Sequence, residues 1–270
     1  MNNYVDKNVN VYVLTHKEVK ESYDKSLYKP LLNGSCNLNQ DYGYIRDDTG
    51  NNISNLNKYY AELTGEYWAW KNSKTDIIGF CHYRRWFIKN IKWEKLTKED
   101  ILRDLEVYDI ILPKKRLRTT NLWDFIKKDN EMDYGANYDD YLILKDIIKK
   151  DFNEYYDAFI EVMNGNSCFL YNMFICNKKL ADDYFNWVFD VLNRLRNKID
   201  FSKYPQDNKR VLGFICEQLL CVYVEKNHLK VKEYDLYFSE RKFPLLAILN
   251  VRLPILTDIE MFIYKNFKKK

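Results

Sequence analysis

Short apolar runs alternate with longer amphipathic ones along this chain, and that alternation limits the possible folds more than any other feature. Residues 9–14 (VNVYVL), 76–81 (DIIGFC), 108–113 (YDIILP) and 229–234 (LKVKEY) have the length and the β-branched and aromatic content of strands. Residues 168–176 (CFLYNMFIC) read as a further strand. Between them lie helical periods. Leu56, Tyr59, Tyr60, Leu63, Tyr67 and Trp70 recur at helix spacing over residues 56–71, with Ser54 as the N-cap. A helix is expected from near Thr97, another over residues 121–128, and a longer one over 138–164 that breaks near Asp151. Residues 178–199 and 209–226 complete the series. Strands alternating with helices predict an α/β domain, a mixed and mostly parallel sheet flanked by helices. With 270 residues, 46% of them hydrophobic, the chain can bury the core of one large domain. Residues 1–240 are assigned to that domain, and 241–270 to a basic amphipathic tail.

Several function classes drop out on composition. The 43 basic and 39 acidic residues leave a net charge of only +4, and no basic stripe or recognisable module marks a nucleic-acid binder. The six cysteines form no Cys-x-x-Cys pair and there are three histidines, which argues against a structural zinc site. Cys81, Cys168, Cys176 and Cys216 lie in apolar runs, as buried free thiols do. With no secretory signal at its start, the chain is expected to be cytoplasmic. Neither a phosphate-binding Gly-x-x-x-x-Gly-Lys loop nor a Gly-x-Gly-x-x-Gly fingerprint occurs. Aromatics make up 16% of the chain, and their flat faces suit sugar and base recognition as well as a core. Trp68, Trp70 and Trp86 are more readily core than sugar platforms.

In an open α/β sheet, ligands bind beyond the carboxyl ends of the strands. That rule selects residues 15–17, residues 82–86 and the segment after Pro113. Thr15, His16 and Lys17 close the first strand, and Lys17 offers a point charge to a phosphate. His82, Tyr83, Arg84 and Arg85 close the second, where arginine supplies fixed paired donors to phosphate oxygens. Alternate residues of an extended segment share a face, so one arginine is expected to face the site and the other to make a structural ion pair. Each segment alone also reads as a polar strand cap. The long polar stretch of residues 33–55 carries Asp47, Asp48 and Asn52 in a turn-prone run. Adjacent carboxylates there suit a cation or sugar hydroxyls, and Asx-turns are the competing account.

Six motifs occur in one order: residues 42–54 (YGYIRDDTGNNIS), 62–72 (ELTGEYWAWKN), 78–87 (IGFCHYRRWF), 109–115 (DIILPKK), 171–175 (YNMFI) and 213–220 (GFICEQLL). Together they resemble a bacterial family first catalogued as a domain of unknown function and placed among glycosyltransferases of capsular and exopolysaccharide synthesis. The resemblance covers residues 9–238. Some members resemble enzymes that transfer galactofuranosyl units from a UDP-linked donor. One departure is that residues 121–134 contain no histidine, where members often carry a His-rich stretch. If that stretch reads the acceptor, a different acceptor is implied here.

The resemblance implies a GT-A-like (Rossmann-like) fold, a UDP-sugar donor and a glycan or lipid-linked acceptor, with inversion at the transferred sugar. It implies donor-site roles for Thr15, His16, Lys17, Asp47, Asp48, Asn52, His82, Tyr83, Arg84, Arg85 and Asn172. GT-A enzymes hold a divalent cation on an Asp-x-Asp motif after the corresponding strand. Here His82-Tyr83-Arg84-Arg85 stands instead. Arginine in direct contact with the diphosphate is therefore expected to take over the role of Mn²⁺ or Mg²⁺. Asp47, Asp48 or His82 are the ligands available if a cation is used. Glu217 is the candidate catalytic base, since apolar neighbours raise a carboxyl pKa toward neutrality. A non-catalytic carbohydrate-binding module is the alternative function. In the tail, Ile255, Leu256, Ile259, Phe262, Ile263 and Phe267 precede three lysines, a pattern that suits contact with an anionic membrane surface through residues 254–270.

Overall fold

In the computed structural model, residues 7–130, 135–205, 209–241 and 253 are described. The strands and helices begin β1 (Val9–Thr15), β2 (Tyr28–Leu32), β3 (Ile45–Arg46), α1 (Asn57–Tyr60), α2 (Leu63–Asn72), β4 (Ile77–His82) and β5 (Arg85–Ile88). They continue α3 (Lys98–Asp104), β6 (Ile110–Pro113), β7 (Arg116–Leu117), α4 (Leu122–Asn130), α5 (Tyr138–Asp151), α6 (Tyr156–Asn164) and β8 (Ser167–Cys168). The last are β9 (Ile175–Asn177), α7 (Lys178–Arg196), α8 (Val211–Lys226) and β10 (Val231–Phe238). They form two units. The first comprises residues 1–113, 172–187 and 229–240, the second residues 114–171, 188–228 and 241–270. Residues 1–240 thus contribute to both. The tail of residues 254–270 lies outside the described residues.

The first unit is built on one eight-stranded sheet in the order β3-β2-β1-β4-β5-β10-β6-β9, with β4 also paired to β9. β1 lies at its heart, parallel to β2 on one side and β4 on the other. Val11, Tyr12, Val13 and Leu14 are all buried, because both faces of this strand are covered, which is why it reads as a continuous apolar run. The sheet is mixed rather than mostly parallel. β9 runs antiparallel to both β4 and β6, β5 antiparallel to β4 and β10, and only β1–β2, β1–β4, β2–β3 and β6–β10 are parallel. Strand direction depends on how the chain returns, and β9 enters from a segment of the second unit rather than from a crossover helix. At Gly79 in β4 an added Cβ would lie 2.7 Å from Ile175 Cγ1, so the β4–β9 pairing needs glycine there. Tyr12, Phe80, Phe174 and Phe185 form the aromatic core, with Phe80 at 6.0, 5.2 and 5.8 Å from the other three rings.

Three local features differ from expectation. The helix expected over residues 56–71 is two pieces, α1 and α2, parted at Ala61, whose φ of 49° no helix accommodates. The run 168–176 is not one strand but β8 and β9 joined by a loop, because Tyr171 (φ 76°) and Asn172 (φ 52°) are both left-handed. β2, which contains Pro30, had no counterpart among the expected strands. α3 starts as expected, with Thr97 and Asp100 forming a reciprocal capping box. The long helix breaks after Asp151, as expected.

The second unit is mainly helical. α8 is buried nearly all round, from Val211, Leu212 and Ile215 to Leu219, Leu220, Val222 and Val224, and α6 packs on it. Trp123 of α4 meets Phe159 of α6 at 6.0 Å, and Tyr155 stacks on Tyr223 at 6.3 Å. β7 and β8 form a short antiparallel pair.

Candidate functional site

The carboxyl ends of β1, β2 and β4 lie side by side in the first unit. The N–H of Asn33, the residue after β2, donates to Thr15 O across 2.7 Å, and the N–H of Tyr83, the residue after β4, donates to Leu14 O across 3.2 Å. Thr15 Oγ1 accepts from Lys17 N at 3.0 Å, a hydroxyl-closed turn that throws His16 and Lys17 clear of the sheet. His16 meets the edge of Tyr83 at 5.3 Å, and Lys17 Nζ lies 4.8 Å from the centre of the same ring. Arg84 stands 5.5 Å from that centre. Lys17 Nζ also pairs with Glu240 at 2.6 Å, and Arg84 Nη1 with the other oxygen of that carboxylate at 3.5 Å. Glu240 raises the pKa of Lys17, and Lys17, more than Arg84, lowers that of Glu240.

β4 and β5 meet in a tight antiparallel turn with His82 opposite Arg85. Arg85 Nη1 lies 3.1 Å from His82 Nδ1, and His82 is 8% exposed. The two arginines therefore differ: Arg84 reaches out to a carboxylate, and Arg85 turns in upon the histidine.

The loop of residues 33–55 is organised by Asp47. Its buried carboxylate accepts from Gly34 N (2.8 Å), Ser35 N (2.9 Å), Ser35 Oγ (2.8 Å) and Ser54 Oγ (2.6 Å). Asp48 is held by Arg46 through Nε at 3.2 Å and Nη2 at 2.8 Å, and that paired contact lowers its pKa. Asn52 is spent on its own turn, donating to Gly50 O at 3.0 Å and accepting from Ser54 N at 3.2 Å. Among the described residues no three His, Cys, Asp or Glu side chains come together as a metal-binding set. Asp47 is saturated by donors, Asp48 is engaged by an arginine, and His82 faces another. This donor set does not fit Mn²⁺ or Mg²⁺.

A second acidic feature was not singled out in the sequence. Glu62 and Glu66 lie four apart at the start of α2 and so share a face. α2 comes down on the strand ends: a Cβ at Gly65 would lie 2.1 Å from Asn33 Oδ1 and 2.9 Å from Leu14 Cδ2. Glu62 accepts from Asn172 Nδ2 at 2.9 Å. Glu66 is 1% exposed, with no hydrogen-bond partner at Oε1. Burial first, and Glu62 second, raise its pKa well above the ordinary 4.5. The spacing of the two acids in ELTGE was the signal available. Asn33 was hidden because β2 was not recognised as a strand.

In the second unit Glu217 is half-buried in the second turn of α8. Its Oε1 accepts the N–H of Tyr171 at 2.7 Å. Around it, Cys168 Sγ and Cys221 Sγ lie 3.2 Å apart, and Phe169 N donates to Cys221 Sγ. The loop after β8 is thereby fastened to α8. Trp86 is fully buried and Trp70 is 9% exposed, both core residues, while Trp68 Nε1 donates to Thr49 Oγ1 at 2.9 Å. No helix among the described residues is long and apolar enough to cross a membrane.

A family model described as a domain of unknown function, DUF4422, matches residues 10–228. Among solved structures, the apo form of WbbM, a bifunctional glycosyltransferase, superposes with a TM-score of 0.78 at 32% sequence identity. The match covers 87% of this chain and 46% of that one, so this chain spans less than half the length of that protein. No curated protein matches at a significant level.

Proposed function

The chain belongs to the DUF4422 family, and from that premise we propose that it is a GT-A-type glycosyltransferase that moves a hexosyl unit from a UDP-sugar to a glycan acceptor in surface-polysaccharide synthesis. The observation that carries this reading is the basic group at the carboxyl ends of β1 and β4, where Lys17 and Arg84 lie against the Tyr83 ring and Arg85 packs on His82 in the adjoining turn. A UDP leaving group is a diphosphate, and arginine and lysine recognise it directly. The likeness to a bifunctional glycosyltransferase supports the same class.

In this reading Arg85, oriented by His82, and the pair Lys17 and Arg84 bind the diphosphate and stabilise the charge that develops on it. Thr15 and His16 lie against the nucleotide. Asp48, Asn52 and Asn172 supply sugar and ribose contacts by exchanging the Arg46, turn and Glu62 partners that hold them in the free protein, and Asp47 fixes the loop that presents two of them. Glu217 is the base. It takes the proton of the acceptor hydroxyl as that oxygen attacks the anomeric carbon, while the bond from that carbon to the UDP oxygen breaks, with inversion. No cation enters the scheme, because the donor set does not fit one. Galactofuranose is the donor sugar to test first. We place the reaction in the cytoplasm at the inner face of the plasma membrane, with a lipid-linked acceptor met through residues 254–270.

The test is UDP release from a panel of UDP-hexoses, UDP-galactofuranose included, with and without a chelator. One donor should be turned over, and chelation should leave the rate intact. Activity abolished by the chelator and restored by Mn²⁺ would overturn the cation-free scheme. No UDP release from any donor, together with no rise in melting temperature on adding UDP, would overturn the transferase reading.

A further inference from the structure

The carboxylate of Glu240 occupies a seat made by two cations and an aromatic ring. One oxygen is 2.6 Å from Lys17 Nζ and the other 3.5 Å from Arg84 Nη1. Both cations lie over or beside the Tyr83 ring, at 4.8 and 5.5 Å from its centre. Two oxygens of one anion, each answered by its own cation, is an arrangement that suits a phosphate group as well as a carboxylate. Lys17, Arg84 and Glu240 side chains are 45%, 42% and 44% exposed, so the seat is open to solvent. An ion pair this exposed is weakly held and screened by salt. Glu240 also lies outside residues 10–228, the span matched by the family model, while Lys17 and Arg84 lie within it.

We propose that Glu240 is an internal stand-in for a donor phosphate: its carboxylate occupies the anion position between Lys17 and Arg84, and a nucleoside diphosphate binds there only by displacing it. This rests on the reading of the chain as a UDP-sugar enzyme. It adds that donor affinity is set by a carboxylate competing from the same chain. The competition has a direction. While Glu240 is seated, it offsets one of the two positive charges of Lys17 and Arg84 and occupies the position between them, so neutral or weakly charged ligands gain little there. A diphosphate carries more charge than a carboxylate and displaces it. Once displaced, Glu240 becomes a free carboxylate beside the bound anion and weakens its hold.

Calorimetric titration of the full chain with UDP and with inorganic pyrophosphate tests this. Glu240→Gln should tighten both by about threefold at low salt, the scale set by exposed ion pairs, and the gain should shrink as ionic strength rises. Glu21→Gln removes the same charge from a different, half-buried pair, with Lys95, and should leave both affinities unchanged. In a Lys17→Met background the gain from Glu240→Gln should fall well below threefold. Pyrophosphate affinity that is unchanged or weaker in Glu240→Gln would overturn the proposal, as would an equal gain from Glu21→Gln. Tighter pyrophosphate binding with no UDP binding by either protein would uphold the seat and overturn the UDP-sugar reading.

Discussion

The side-chain amide of Asn172 donates to the carboxylate of Glu62 across 2.9 Å, joining residues 110 positions apart. Asn172 follows Tyr171, and both are left-handed, a conformation that asparagine tolerates and tyrosine rarely adopts. The backbone here is held against its preference by tethers: Glu62 on the Asn172 side chain, and Glu217 on the Tyr171 N–H at 2.7 Å. Strain of this kind concentrates where a side chain must be aimed. Glu62→Ala should therefore lower stability by about 1–3 kcal/mol, measured by urea denaturation, and raise the KM for donor. Glu62→Gln keeps an acceptor oxygen and should recover most of both. Equal effects of the two variants would reject the tether.

Glu66 makes stability depend on pH. Its folded-state pKa is raised, first by burial and then by Glu62, so the folded chain keeps this proton more tightly than the unfolded chain does. Its contribution is fully present below about 4.5, the ordinary value, and is lost as pH rises from there through the folded value. Melting temperatures of Glu66→Gln and wild type, followed from pH 4 to 8, should diverge progressively in favour of the variant as pH rises. A constant difference would show that Glu66 is ionised in the folded state.

Glu217→Gln should abolish transfer, reducing kcat by about a hundredfold to ten-thousandfold, the range of general-base effects. UDP binding should be unchanged. The amide oxygen of glutamine can still accept the Tyr171 N–H, so the melting temperature should hardly move. Single-turnover kinetics with measured UDP affinity separate these effects, and retained transfer would reject the base assignment.

Ala61 separates α1 from α2 at φ 49° and ψ −126°, a backbone region that glycine reaches freely and alanine does not. Its carbonyl accepts from Asn57 Nδ2 at 2.7 Å and from Thr64 Oγ1 at 3.2 Å, which fixes the break. Ala61→Gly should stabilise the protein by about 1 kcal/mol, seen as a higher denaturation midpoint at unchanged slope.

The strands β1, β4, β6 and β10 were legible because burial on one or both faces writes itself into two-residue alternation or a short apolar run. The amphipathic helices were legible for the same reason at a longer period. What escaped was decided at long range. Nothing local at Tyr171 or Asn172 announces a left-handed turn inside an apolar run. The turn is imposed by Glu62 and Glu217, distant in sequence. The antiparallel course of β9 depends likewise on the route by which the chain returns. The carboxyl-end rule pointed to Thr15, Lys17, His82 and both arginines, which stand at or just beyond the ends of β1 and β4. It could not say which arginine turns inward, nor that Glu240 would come back to the pair. The Asp47-Asp48 dipeptide suggested a ligand site, but the hydroxyls of Ser35 and Ser54 and the guanidinium of Arg46 engage those carboxylates, and their partnership is invisible without the loop's fold.

β10 hydrogen-bonds to β5 along one edge and to β6 along the other. Among the described residues it is the last strand of its sheet to leave the ribosome. Until then β5 and β6 each carry an open hydrogen-bonding edge, with the apolar Ile110, Ile111 and Leu112 waiting beside one of them. During that wait the residues of the second unit between β6 and β9 and between α7 and β10 are synthesised. The newborn chain thus passes through a stage in which a helical insert can form while its parent sheet is still incomplete. A stall before Val231 would leave an aggregation-prone intermediate rather than a smaller working protein.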